Sequence, residues 1–129
     1  MKRYIIKGGK KLFGEVDVSG SKNASLPILA ATIISGKKSK LYNLPDIEDV
    51  RVTLEILKSL GAKVKKDSNK VIIDSKCIRC TVIPDNLMRK LRSSVIIAGA
   101  IIARFKEVSF TYPGGCDIGA RPIDLHLEN

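Results

Sequence analysis

Tryptophan is absent from the 129-residue sequence, and tyrosine and phenylalanine contribute only three residues each. Proteins that bind single-stranded nucleic acid stack bases on aromatic side chains, so this composition argues against that function. Three cysteines cannot all pair within one chain, which favours reduced thiols in a cytoplasmic protein. The longest apolar run, Val95 to Ala103, is too short to cross a bilayer, and the first residues lack the apolar core of an export signal. We therefore expect a cytoplasmic protein that is not embedded in a membrane.

Basic residues are abundant. Lysine and arginine number 23 against 13 aspartate and glutamate residues, which gives a net charge of +10. Such a balance favours an anionic partner, either a nucleic acid or a phosphorylated small molecule, although lysines in turns are also ordinary solvated surface. The length suits one domain with a modest core.

The pattern of apolar residues and turn signals predicts an α/β (α+β) chain. Helices are expected at 22–34, 47–60 and 86–104, strands at 3–7, 12–18, 39–43, 62–66, 70–74 and 107–112, and a last helix from Pro122. The first two strands are joined at Gly8–Lys11, which is typical of a hairpin. Five identical or similar residues recur at an offset of 70: Lys22/Arg92, Ala30/Ala100, Ser39/Ser109, Tyr42/Tyr112 and Arg51/Arg121. A repeated unit of about 70 residues is the preferred interpretation, with chance alignment as the alternative.

Cations stand at several predicted helix starts, where the helix macrodipole disfavours them. Lys22 opens the first helix, Arg89, Lys90 and Arg92 stand near the start of the third, and Arg121 precedes the last. Helix N-termini also bind phosphates and carboxylates, so these cations are typical of a site that holds an anionic ligand. The alternative is that each side chain turns into water or meets a carboxylate from elsewhere in the chain.

The loop at 112–122 contains three glycines around Cys116, and Arg121 follows closely. Glycines permit backbone conformations closed to other residues and allow a ligand to approach. A thiol beside an arginine can serve as a nucleophile or proton carrier. The alternative is a structural turn with an incidental cysteine.

A C-x-x-C pair, Cys77 and Cys80, could form a zinc site together with Cys116 and His126. The spacings match no zinc module, and the pair does not stand at the strand-to-helix junction that a thioredoxin-like site needs. We therefore predict ordinary thiols and no metal. His126, the single histidine, either supports the same anion site as Arg121 or lines a helix face.

Two stretches carry a family resemblance. Ser19-Gly-Ser-Lys-Asn-Ala-Ser-Leu-Pro-Ile28 and Pro113-Gly-Gly-Cys-Asp-Ile-Gly-Ala-Arg-Pro-Ile-Asp-Leu-His126 resemble the N-terminal signature and the reactive loop of the UDP-N-acetylglucosamine enolpyruvyltransferases. The stretches 43–50 and 57–63 also resemble family positions. The shikimate-pathway enolpyruvyltransferases share the fold and the lysine, but the Gly-Gly-Cys loop favours the UDP-sugar branch.

The resemblance implies a fold of two inside-out α/β barrels, each built from three repeated units, with the active site between them. Residues 1–20 would then belong to the other domain, and 21–129 would form about one and a half units of the first. It also implies transfer of the enolpyruvyl group of phosphoenolpyruvate to the 3′-hydroxyl of UDP-N-acetylglucosamine, with release of phosphate and without a metal or organic cofactor. This reaction is the first committed step of peptidoglycan synthesis.

The same resemblance implies roles for individual residues. Lys22 and Asn23 would bind phosphoenolpyruvate, Cys116 would be the general acid and the target of fosfomycin, and Arg92 would meet ligand phosphates or carboxylate. The residues expected to contact UDP-N-acetylglucosamine are Arg92, Arg121, Pro122, Ile123, Asp124 and Leu125. The catalytic aspartate of the family belongs to the C-terminal remainder, so the 129 residues alone are expected to be inactive. The alternative function is a basic nucleic-acid-binding module without catalysis.

Overall fold

The computed structural model describes residues 3–114 and 123–124. The helices and strands follow one another as α1 (Lys22–Ser35), β1 (Lys38–Tyr42), α2 (Glu48–Ser59), β2 (Lys63–Asp67), β3 (Lys70–Asp74), α3 (Asp85–Met88) and α4 (Ser94–Phe105). Helices therefore alternate with short strands in the first part of the chain, and helices dominate the second part.

The three strands form one antiparallel sheet in the order β1-β3-β2. Val71 and Ile73 of the central strand are buried, and their neighbours across the sheet, Leu41 and Val64, lie on the same face. The opposite face presents lysines from all three strands, including Lys40 and Lys65 beside Ile72. Because side chains alternate along a strand, one face covers the core and the other faces water.

The core lies between this sheet and the helices, and α1 is its centre. α1 packs against both α2 and α4. Its Leu29 and Ile33 are fully buried, as are Ile56 of α2 and Ile101 of α4. Full burial of such side chains contributes roughly 1.5–3 kcal/mol each, so these contacts dominate the stability of the fold.

The predicted helices at 22–34 and 47–60 and the predicted strands at 39–43, 62–66 and 70–74 are confirmed to within one residue at each end. The 70-residue repeat also has a structural counterpart. α1 ends at Gly36 with φ 59°, and α4 ends at Lys106 with φ 67°, so both helices close on a left-handed residue at equivalent positions.

The single helix predicted at 86–104 is wrong, because the structure divides it into α3 and α4. The carbonyl of Met88 accepts a hydrogen bond from the backbone N–H of Gly114 (3.3 Å), and the Ser94 hydroxyl donates to the carbonyl of Leu91. The carbonyl of Met88 therefore binds a loop N–H, and the carbonyl of Leu91 binds a side-chain hydroxyl. Residues 89–93 form turns between the two helices.

The strands predicted at 3–7 and 12–18 are also wrong. Residues 3–18 form no strand, and Tyr4, Ile6, Leu12 and Phe13 are 87–92% exposed. A hairpin with nothing packed on its apolar face is marginal in water, which explains its absence. The strand predicted at 107–112 is reduced to a single parallel bridge between Ser109 and Val82. The predicted helix from Pro122 begins outside the described residues.

Arg104, near the C-terminal end of α4, joins that end to the C-terminal end of α1. The Arg104 Nη1 donates to the carbonyl of Ile33 (3.0 Å), at the end of α1, and to that of Ser75 (2.8 Å), just after β3. The guanidinium also lies over the Phe105 ring, 4.7 Å from its centroid. A cation at the end of α1 complements the helix dipole.

Within the described residues, no helix is long and apolar enough to cross a membrane.

We expect Arg104→Ala to lower the free energy of unfolding by about 1–2 kcal/mol, because two backbone carbonyls lose a charged donor. Urea denaturation measures the change. Lys58→Ala, a basic-to-alanine change on the exposed side of α2, is the matched control and should have little effect. Equal effects of the two substitutions would show that the hydrogen bonds of Arg104 do not stabilise the fold.

Candidate functional site

The first predicted signature forms the beginning of α1. Ser21 is the N-cap, and its hydroxyl accepts a hydrogen bond from the backbone N–H of Ala24 (3.4 Å). Ser25 donates its hydroxyl to the Ser21 carbonyl (2.7 Å). Serine is among the preferred N-cap residues because it satisfies an N–H that has no partner inside the helix. Lys22 and Asn23 are thereby fixed as the first two residues of the helix.

Gly20 brings the chain into α1 along a path with no room for a side chain. A Cβ at this position would lie 1.9 Å from the carbonyl oxygen of Asn43. Asn43 itself has a left-handed backbone (φ 54°) and donates its N–H to the Asn69 carbonyl (3.1 Å). The start of α1 is therefore held against the turn that leads from β1 towards α2.

Lys22 forms an ion pair with Asp49, a residue in the first turn of α2. The lysine side chain is 52% exposed and the aspartate side chain 29% exposed. Of the two explanations for a cation at this helix start, the structure shows a carboxylate supplied from elsewhere in the chain. Asp49 was not among the predicted site residues, because an acid in a first helical turn is already explained by the helix dipole.

Three helix N-termini point to one end of the fold. The Lys22–Asp49 pair joins the N-terminal ends of α1 and α2. The C-terminal ends of α1 and α4 meet at Arg104, and these two helices pack side by side, so their N-terminal ends point the same way. Arg92 precedes α4 by two residues. This end of the molecule therefore carries Lys22 and Arg92 at the starts of α1 and α4, and Asp49 at the start of α2. The N-termini of α1 and α4, each with a cation beside it, suit an anion.

The glycine-rich loop begins in contact with the turn between α3 and α4. Gly114 donates its N–H to the Met88 carbonyl, and a Cβ there would lie 1.8 Å from the Arg89 carbonyl oxygen. The loop thus starts in backbone contact with the turn that carries Arg92. The expectation that Arg89 and its neighbours crowd a helix start is wrong for Arg89, which is the C-cap of α3, where a cation is favourable.

The remaining predicted site residues divide into two groups. Ile123 is buried and Asp124 is exposed. The others lie outside the described residues: Cys116, Arg121, Pro122, Leu125 and His126. Their roles stay predictions.

Arg51, the repeat equivalent of Arg121, has an internal anionic partner. Its guanidinium makes two hydrogen bonds to Asp46, from Nε to Oδ1 (3.1 Å) and from Nη2 to Oδ2 (3.0 Å), and Lys66 adds a contact at 3.4 Å. The hydrogen bonds from Arg51 first, and then from Lys66, lower the pKa of Asp46 to about 2. The three charges line an open groove of about 290 Å³ with an apolar wall that includes Leu54. In this unit the arginine is therefore already paired with a carboxylate of the same chain, Asp46.

In the described part of the chain, nothing completes a metal site around the C-x-x-C pair. Cys77 and Cys80 are free and exposed. Across residues 3–114 and 123–124, no group of three or more His, Cys, Asp or Glu side chains is arranged to hold a metal ion. Cys116 and His126, the other two predicted zinc ligands, lie outside those ranges.

Comparison with known proteins identifies the family. The family model described as EPSP synthase (3-phosphoshikimate 1-carboxyvinyltransferase) matches residues 6–129. The chain belongs to the EPSP synthase family. A solved member of the enolpyruvyl transferases, NikO from Streptomyces tendae, superposes with a TM-score of 0.68 and 26% identity over 76% of this chain and 23% of that one. The predicted fold class, an α+β enolpyruvyltransferase unit, is therefore confirmed.

Two curated carboxyvinyltransferases are similar to nearly the whole chain. UDP-N-acetylglucosamine 1-carboxyvinyltransferase 2 of Caldanaerobacter subterraneus subsp. tengcongensis is 49% identical over 99% of this chain. The UDP-N-acetylglucosamine 1-carboxyvinyltransferase of Methylacidiphilum infernorum is 47% identical over 98% of it. The chain spans 31% and 30% of the lengths of these two proteins.

Gly20→Ala should destabilise the fold, because the added Cβ meets the Asn43 carbonyl oxygen and the backbone must move. The expected loss is about 1–3 kcal/mol of unfolding free energy, measured by urea denaturation. Gly99→Ala is the matched control: it lies inside α4 with no heavy atom within 4 Å of the added Cβ. That substitution should stabilise by roughly 0.5–1 kcal/mol. A neutral Gly20→Ala variant would contradict the close approach.

Protonation of Asp46 should occur with a midpoint near pH 2 in the native chain, as the lowered pKa requires. Carboxyl NMR titration measures it directly. Arg51→Met should raise the midpoint towards 3.8, the ordinary pKa of an aspartate, and Lys66→Met should raise it less, because Arg51 is the larger cause of the lowered pKa. The stabilisation by this cluster is present above pH 4 and is lost as pH falls towards 2. An unchanged midpoint in the Arg51 variant would refute the assignment.

Proposed function

We propose that this chain forms the part of an enolpyruvyltransferase that holds phosphoenolpyruvate and part of UDP-N-acetylglucosamine. The observation that carries the proposal is the common end of α1, α2 and α4, where Lys22 and Arg92 stand at helix starts. Both substrates are anions, and a site with fixed cations and helix N-termini complements them before they arrive. The names of the relatives supply the sugar nucleotide, and the enolpyruvyl donor follows from the family resemblance.

The signature residues receive the following roles. Lys22 and Asn23 bind phosphoenolpyruvate, and Arg92 and Arg121 contact the phosphates or carboxylate of the ligands. The stretch Pro122, Ile123, Asp124 and Leu125 lies along the UDP-sugar, with His126 in support. The anchored position of Gly114 supports a loop that begins beside Arg92 and brings Cys116 to the substrates.

The chemistry proceeds by addition and elimination. Cys116 protonates the methylene carbon of phosphoenolpyruvate while the 3′-hydroxyl of the sugar adds to the adjacent carbon, which gives a tetrahedral intermediate. Loss of phosphate together with a proton from the new methyl group then restores the double bond as the enolpyruvyl ether, and that proton returns the Cys116 thiolate to the thiol. Lys22 and the arginines stabilise the phosphate and carboxylate charges throughout. We propose that no metal or organic cofactor takes part.

The biological setting follows from the same assignment. The product feeds peptidoglycan synthesis in the cytoplasm, and Cys116 would be alkylated by fosfomycin. The aspartate that takes the proton from the sugar hydroxyl is supplied by the C-terminal remainder of the enzyme. Residues 1–20 would pack in the other domain and 21–129 in the first, which accords with the exposed apolar side chains of residues 3–18.

The proposal predicts activity only in a complete protein. The isolated chain should release no phosphate from the two substrates. A chimera in which it replaces the matching 31% of the Caldanaerobacter relative should release phosphate when both substrates are present. Lys22→Ala in the chimera should lower kcat/KM by at least about 100-fold. Lys106→Ala, on a lysine at the far end of α4, is the control and should leave the rate unchanged.

The isolated chain and the chimera also test the competing function, a basic nucleic-acid-binding module. Turnover by the isolated chain would contradict the need for the C-terminal remainder, and an inactive but folded chimera would contradict the transferase proposal. Oligonucleotide binding with a steep dependence on salt, together with indifference to UDP-N-acetylglucosamine, would favour the nucleic-acid module. The lysines on the outer face of the sheet are the surface at which such binding would occur.

A further inference from the structure

The contact between Lys22 and Asp49 joins two helices that are separated by a strand and a turn. Lys22 is the first residue of α1, and Asp49 is the second residue of α2. No family motif quoted above gives the aspartate a role. We propose that Asp49 is a positioning residue, which holds the Lys22 ammonium in place for an anionic ligand. This inference rests on the proposed function of Lys22 as a ligand of phosphoenolpyruvate.

Asp49 is itself firmly placed. Its backbone carbonyl accepts a hydrogen bond from the hydroxyl of Thr53 (2.8 Å), a side chain that is only 1% exposed. Its carboxylate lies in the first turn of α2, where the helix dipole stabilises negative charge. The backbone that carries the Asp49 carboxylate is therefore fixed in the first turn of α2.

Lys22 is the more exposed partner. Its side chain is 52% exposed, against 29% for the aspartate, so about half of the lysine side chain is accessible from solvent while it is paired with Asp49. An ammonium group has three N–H donors, and one contact with the carboxylate leaves donors for a ligand oxygen. A free lysine loses much rotamer freedom when it binds a ligand. Holding it beforehand reduces that loss on binding, which is the general advantage of preorganisation.

Gly20 and Asn43 support the same arrangement. Their backbone contact fixes the entry to α1 against the turn before α2, so the two helix starts cannot separate without breaking it. The ion pair thus bridges two elements whose relative position is already set. The ion pair therefore orients the lysine side chain and is not needed to bring the two helices together.

The test is site-resolved acetylation of lysines in the intact chain, read by mass spectrometry with and without phosphoenolpyruvate. Asp49→Asn should increase the acetylation rate of Lys22 by about 2- to 5-fold, the range expected for loss of an exposed ion pair. It should also raise the phosphoenolpyruvate concentration that half-protects Lys22 by a similar factor. Asp49→Glu keeps the charge and should restore most of both values.

Asp67→Asn is the matched control, because Asp67 pairs with Lys70 at 3.0 Å in the β2–β3 hairpin. This substitution should increase the acetylation rate of Lys70 and leave the acetylation rate of Lys22 unchanged. In Asp49→Asn, an unchanged rate at Lys70 shows that the fold is intact. If that variant does not fold, the comparison is made with Asp49→Glu, where a Lys22 rate as fast as that of a lysine without a partner would overturn the proposal.

The outcomes separate this inference from the proposed function. If Asp49→Asn leaves the rate at Lys22 unchanged, or if phosphoenolpyruvate protects Lys22 equally well in both proteins, the positioning role is wrong while the binding role of Lys22 stands. If phosphoenolpyruvate protects Lys22 in neither protein, the binding role is contradicted and the positioning role falls with it. Faster acetylation combined with weaker protection supports both.

Discussion

α1 is packed on two sides, and the arrangement of the molecule follows from that packing. Leu29 and Ile33 are fully buried where α1 meets α2 and α4. Because interiors are close-packed, a helix held on two sides can neither rotate nor slide without opening cavities in both contacts. The direction of α1 therefore determines where its first residues stand, and Arg104 fixes the opposite end by bonding to the last turn.

The consequence for function is that apolar packing determines the positions of charged groups. Lys22 and Asp49 are both at least partly exposed, and an exposed ion pair stabilises a fold little. Their meeting is a result of the helix packing and of the backbone contact at Gly20, not its cause. A site built in this way can accept changes in its charged residues without loss of the fold, because stability and ligand chemistry depend on different side chains.

The sequence predicted those parts of the fold that depend on local signals. The bounds of α1 were predicted to within one residue, because its caps, Ser21 and Gly36, act within one turn of the chain. The break between α3 and α4 was missed, since it depends on a hydrogen bond from Gly114 to Met88, 26 residues away. Asp49 was missed for the same kind of reason: its partner lies on another helix, and spacing along the chain carries no signal for that contact. The helix-dipole argument and the motif resemblance both singled out Lys22, but only the packing of the helices shows that Asp49 lies beside it.

The unpaired segment at 3–18 has a consequence for how the protein is made. Its apolar side chains, among them Tyr4, Ile6 and Phe13, are almost fully exposed, and the segment leaves the ribosome before any of the helices. Exposed apolar segments are the regions through which incompletely folded chains associate. The first 22 residues contain six lysine and arginine residues, and most of them lie interspersed with these side chains. Charges of one sign beside apolar side chains oppose the association of such segments.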